Sequence, residues 1–115
     1  MTITIYHNPR CSKSREALKL IKEAGIEPEV IEYLKTSPTR VELEALYKKL
    51  GEPTPLSIVR TKEFEFKASK LSSKSTKDDI LSAIVANPKL LERPIVITSK
   101  GARICRPPDV VKEIL

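Results

Sequence analysis

Aromatic side chains are scarce in this sequence: Tyr and Phe together make up 4% of its 115 residues, and tryptophan is absent. A core built with so few of them must rest on Ile, Leu and Val. Cysteine is nearly as rare. The two present, Cys11 and Cys105, lie far apart in the chain, and in a reducing compartment their default is two free thiols. A chain of this length buries enough surface to fold without bridges or a metal. No apolar run approaches the roughly 18 residues of a membrane span. The opening Met1-Thr2-Ile3-Thr4-Ile5-Tyr6 has neither the basic start nor the extended apolar stretch of a signal peptide. The expectation is a monomeric cytoplasmic protein with no membrane association, folded as one domain over residues 1–115.

Charge is plentiful. The formal net charge is +6, but the basic residues are mixed with acidic ones, as in Lys19–Glu23 and Glu44–Lys48, spacings that make solvated helix faces. No basic run carries interleaved aromatics, so a nucleic-acid partner is not expected. A modest positive field suits a small anionic substrate.

Alternation of Ile3 and Ile5 with Thr2, Thr4 and Tyr6 predicts a first strand. His7-Asn8-Pro9-Arg10 stops it, and Ala17, Leu18, Ile21 and Ala24 then repeat at helical spacing up to Gly25. Val30–Leu34 reads as a second strand. A helix follows on Val41, Leu43, Leu46, Tyr47 and Leu50, ending at Gly51. Another lies somewhere between Leu56 and about Lys67, and Ser69–Lys77 reads as exposed loop. Ser75-Thr76-Lys77-Asp78-Asp79 opens a helix carrying Ile80, Leu81, Ile84 and Val85, which Asn87-Pro88 closes. Ile95–Ile97 and Ala102–Cys105 read as a hairpin through Ser99-Lys100-Gly101, and Pro107-Pro108-Asp109 begins a last helix to Leu115. This order is β-α-β, a helical insertion, then β-β-α: an α/β chain whose element order suits a thioredoxin-like sheet and other α/β folds alike.

Cys11 falls where the first strand gives way to the first helix. Free N–H groups and the helix dipole favour negative charge there, and Arg10, Lys13 and Arg15 add formal charge, with His7 adding more if protonated. Such a cysteine is a nucleophile in its thiolate form, and the same groups would hold a tetrahedral anion beside it. A buried cysteine acting as a small hydrophobe is the plainer alternative.

Three motifs in order, His7-Asn8-Pro9-Arg10-Cys11, Arg93-Pro94-Ile95-Val96 and Arg103-Ile104-Cys105-Arg106-Pro107, together resemble the glutaredoxin-coupled arsenate reductases, and the resemblance runs over essentially the whole chain. It implies a thioredoxin-like fold with a mixed four-stranded sheet and a helical insertion, Cys11 as nucleophile, and His7 lowering its pKa. It also implies that Arg60, Arg93 and Arg106 bind the oxyanion, and that Pro94 is a cis proline facing Cys11. Guanidinium groups suit that task through two-pronged hydrogen bonds, although Arg60 and Arg93 would also serve as ordinary surface charges and His7 as an ordinary strand-end residue. Cys105 reads as a packed core residue.

The implied partners are arsenate, glutathione as co-substrate and glutaredoxin, with no metal, flavin or nicotinamide bound. An external reductant fits, because Ser14 stands where a Cys-x-x-Cys motif would place its second thiol. Ser12-Lys13-Ser14-Arg15 departs from the Gly-Thr-Ser-Arg of the best-known arsenate reductases, and resembles a subgroup whose physiological substrate is uncertain. Two other functions fit parts of the pattern. One is a regulator of the Spx type that binds RNA polymerase, for which Ser14 removes the usual cysteine switch. The other is a general glutathione-dependent thiol reductase, which would not require all three arginines.

Overall fold

The computed structural model describes residues 3–52 and 54–115; Thr2, expected in the first strand, lies outside them. Four strands form one mixed sheet: β1 (Thr4–Tyr6), β2 (Glu29–Ile31), β3 (Ile95–Thr98) and β4 (Gly101–Ile104), in the spatial order β2-β1-β3-β4. β1 runs parallel to β2 and antiparallel to β3, and β3 is antiparallel to β4. The parallel pair needs a crossover, which α1 (Ser12–Glu23) supplies. This is the expected α/β, thioredoxin-like arrangement.

The described residues form two compact units, one of residues 3–36 with 93–115 and one of residues 37–52 with 54–92. In the first, Ile3 just before β1, Ile5 of β1, Ala17 and Ile21 of α1, and Val96 of β3 share a core with Cys105, Val111 and Ile114. Aliphatic residues carry this core, as the scarcity of aromatics requires. The Thr98 hydroxyl donates to the Ile114 carbonyl at 2.7 Å and fixes the closing segment.

The second unit is helical: α2 (Arg40–Leu50), α3 (Phe64–Ser69) and α4 (Lys77–Ala86), with 3-10 turns at Pro55–Ile58 and Pro88–Leu90. Leu43, Leu46, Ile58, Ile80, Leu81, Ile84, Leu90 and Leu91 are buried in it. Two of its helices start with reciprocal caps, Thr39 with Glu42 and Thr76 with Asp79. Gly51, at φ 63°, closes α2 in the left-handed region.

Some sequence expectations shift. β2 covers Glu29–Ile31, because parallel pairing with β1 ends at Tyr6↔Ile31, and Leu34 is exposed beyond it. The Leu56–Lys67 segment is interrupted where Val59 bridges Leu91 and draws the chain into extended form. The hairpin turn has two residues, since Thr98 pairs with Gly101. β4 ends at Ile104, so Cys105 is a core residue just past the strand. The last helix is a six-residue 3-10 segment, Pro108–Glu113.

Candidate active site

β1 ends at Tyr6, and the His7 amide donates to the Ile31 carbonyl at 2.8 Å, holding the next residue to the sheet. The chain then turns sharply. The Asn8 side-chain oxygen accepts from the Arg10 amide at 3.0 Å, and its carbonyl accepts from the Cys11 amide at 3.0 Å. Cys11 itself is the N-cap of α1, in extended geometry, and its side chain closes no cap hydrogen bond. The amides of the first turn are therefore available to the sulfur or to a ligand beside it.

The fully buried Ser14 secures this turn. Its hydroxyl accepts from the Asn8 amide at 3.0 Å and lies 2.7 Å from His7 Nδ1. With a neutral imidazole protonated on Nε2, the Ser14 hydroxyl donates to Nδ1 while it accepts from the Asn8 amide. Arg15 adds a clamp, its guanidinium donating to the Pro9 carbonyl at 2.8 Å.

Electrostatics favour the thiolate. Burial pushes the Cys11 thiol up, but the Ser14 amide, the Arg93 guanidinium and the Lys13 amide outweigh it and hold the pKa below that of a free thiol. The guanidinium that acts on the sulfur is thus that of Arg93, eighty-odd positions away in the chain, and Lys13 acts through its backbone. His7 contributes no charge at neutral pH, because burial first, and Arg15 and Lys22 after it, lower its pKa despite the opposing Glu32. The His7 ring meets the Ser14 hydroxyl, which sets it against the turn that carries Cys11.

Arg93 and Arg106 are brought together by hairpin register. Ile95 pairs with Ile104, and the Cys105 amide donates to the Pro94 carbonyl at 2.8 Å, carrying the ladder one step outward. The next step sets Arg93 against Arg106, whose guanidinium donates to the Arg93 carbonyl at 3.1 Å. The Arg93–Pro94 bond is cis, as the resemblance implied, and so is Arg106–Pro107. Arg60 belongs to the helical unit. Its amide donates to the Leu90 carbonyl at 2.8 Å, and its guanidinium is ion-paired with Glu63. Cys105 is wholly buried, and burial pushes its thiol up to about 12, so it is chemically quiet.

The family model for the ArsC family matches residues 6–114. The chain belongs to the ArsC family. It is 48% identical over 114 residues to the protein YfgD of Escherichia coli (strain K12), covering 98% of this chain and 96% of that one. It is 46% identical over 116 residues to the arsenate reductase of Rhizobium meliloti (strain 1021), covering all of this chain and 82% of the relative. Among solved structures, an arsenate reductase from Vibrio cholerae superposes with a TM-score of 0.96 at 47% identity, covering 100% of this chain and 98% of that one.

Within this ArsC-family chain, sequence reasoning passed over Ser14 as a positioning residue and treated it only as a missing cysteine. The signal was there: Ser14 shares the i, i+3, i+4, i+7 stripe of Ala17, Leu18 and Ile21. A serine on a core-facing stripe must find partners for its hydroxyl. Asn8 was passed over likewise, although Asn in a strand-to-helix turn commonly bonds to backbone two residues on.

Proposed function

We propose that this protein is a thiol-dependent reductase that converts arsenate to arsenite through a covalent Cys11–arsenate adduct. The observation that carries the reading is the Cys11 thiol at the open N-terminus of α1, beside Arg93, with its pKa lowered. The relatives named arsenate reductases support the choice of oxyanion.

In the first step the Cys11 sulfur attacks arsenic(V). A sulfur–arsenic bond forms, one arsenic–oxygen bond breaks, and that oxygen takes a proton and leaves as water. The amides of the first turn, Arg93 and Arg106 hold the anion and take up charge developing on its oxygens. Glutathione thiolate then attacks the Cys11 sulfur: a disulfide forms, the sulfur–arsenic bond breaks, and its electron pair reduces arsenic to the trivalent state. Arsenite departs as an oxyanion and takes up from solvent the proton that glutathione released on becoming a thiolate. A glutaredoxin thiolate finally takes the glutathionyl sulfur and returns Cys11 as thiolate. The electrons come from thiols, so the cycle needs no bound cofactor, and its reductants belong to the cytoplasm. Among the described residues no helix is long and apolar enough to cross a membrane.

The test is Cys11→Ser. It should abolish arsenite formation in the presence of glutathione and glutaredoxin while leaving the unfolding midpoint nearly unchanged. Arsenite production persisting in that variant would refute the proposal.

A further inference from the structure

Beside the catalytic turn lies a groove of about 380 Å³. The run His7–Arg10 forms one wall, and Glu32, Leu34 and Lys35, just past β2, form the other. We propose that this groove is the subsite for the glutathione co-substrate; the inference rests on the thiol-dependent reduction argued above.

The chemistry of the walls selects the ligand. A bare oxyanion would fill a small part of this volume and would meet the Glu32 carboxylate. The groove instead mixes charges, with Arg10 and Lys35 positive and Glu32 negative, and adds apolar surface from Pro9 and Leu34, the latter 45% exposed. Glutathione offers the complement: two carboxylates, one ammonium and a mid-length thiol on a flexible tripeptide. Its size falls within what grooves of roughly 300–1,000 Å³ accept. Lys35 and Glu32 already form an exposed ion pair at 3.4 Å, weak enough to open and regroup around a carboxylate and an ammonium.

Position gives the groove its use. Its lining run ends at Arg10, one residue before the nucleophile, and neighbouring Cα atoms are about 3.8 Å apart. A tripeptide of about 10 Å extended length, anchored on Lys35 and Arg10, therefore has its thiol within reach of the Cys11 sulfur. That is the approach that attack on the sulfur–arsenic bond requires. Anchoring next to the acceptor also converts an encounter in solution into reaction within a complex.

The probe is S-methylglutathione, which cannot react. Titrated into isotope-labelled protein, it should shift the amides of Asn8, Arg10, Glu32, Leu34 and Lys35 at low millimolar concentration or below. Lys35→Glu reverses one exposed charge and should weaken its Kd about fivefold. Leu34→Asp should weaken it too, by removing the apolar wall. Neither variant should alter the protection of Cys11 from iodoacetamide by arsenate. Shifts confined to other surfaces, or unchanged affinity in both variants, overturn the groove assignment while leaving arsenate reduction standing. Binding in the groove without any protection of Cys11 by arsenate sinks the reductase reading and leaves the subsite intact.

Discussion

Removing one hydroxyl should loosen the catalytic turn. Ser14→Ala deletes the contact to His7 Nδ1 at 2.7 Å and the bond from the Asn8 amide at 3.0 Å. Two hydrogen bonds of about 1 kcal/mol each, in a site where the abandoned partners gain no water, cost about 2–4 kcal/mol. Alanine returns up to about 0.5 kcal/mol through better helix propensity, so the net loss is about 1.5–3.5 kcal/mol. A domain of this size holds roughly 5–15 kcal/mol, so the variant still folds. Urea denaturation should show a lower midpoint at unchanged slope. A double-mutant cycle with His7→Ala should return a coupling energy of about 1 kcal/mol, because both changes remove the same contact. The Ser14 amide survives the substitution and still acts on the sulfur, but the turn that presents Cys11 is now free to move, so its alkylation at pH 7 should slow. A stability loss under about 0.5 kcal/mol with zero coupling would refute the claim that this hydroxyl ties the turn together.

Arg93→Ala removes the guanidinium that acts on Cys11 and, in the proposed reaction, would hold the anion. The Cys11 alkylation midpoint should move upward in pH, and kcat/KM for arsenate should fall about 10- to 100-fold, the worth of one charge-assisted hydrogen bond of about 1.5–3 kcal/mol; an unmoved midpoint contradicts the electrostatic account. Cys105 tests the opposite environment. Burial first, with Glu113 adding to it and Arg103 opposing, raises its thiol to about 12, so its contribution to stability is whole below the free-thiol value of about 8.5 and is lost progressively as pH climbs towards 12. Stability measured at pH 7.5 and 10 should therefore fall more steeply in the native sequence than in Cys105→Ala, by up to about 2 kcal/mol; equal slopes in the two proteins rule out a buried, proton-retaining Cys105.

Much of this was legible in the residues. The stripe from Ala17 to Ile21 marked α1, the Thr76–Asp79 cap marked the start of α4, and Gly51 marked the end of α2. Cys11 at a strand-to-helix junction was readable because local order alone sets that geometry. What escaped reading depends on partners distant in the chain. The extent of β2 is set by how many residues of β1 it can meet, and the break at Val59 by its pairing with Leu91. Sequence proximity points to Arg10, Lys13 and Arg15 as the positive charges acting on Cys11, yet the guanidinium that lowers its pKa is that of Arg93, which sheet pairing delivers. Burial of His7, and hence its neutrality, is likewise a tertiary property.

The two-residue turn at Ser99-Lys100 sits at the far end of the β3–β4 hairpin from both arginines, yet it decides which residues meet at the open end. An insertion or deletion of one residue there, if taken up by sliding the strands, would put Arg93 across from Cys105 or Pro107 in place of Arg106, and would turn side chains to the opposite side of the sheet. Loop grafting or tagging at this exposed tip, which looks harmless, is thus a change to the spacing of the two arginines at the open end. Turn length here is a parameter of chemistry as much as of shape.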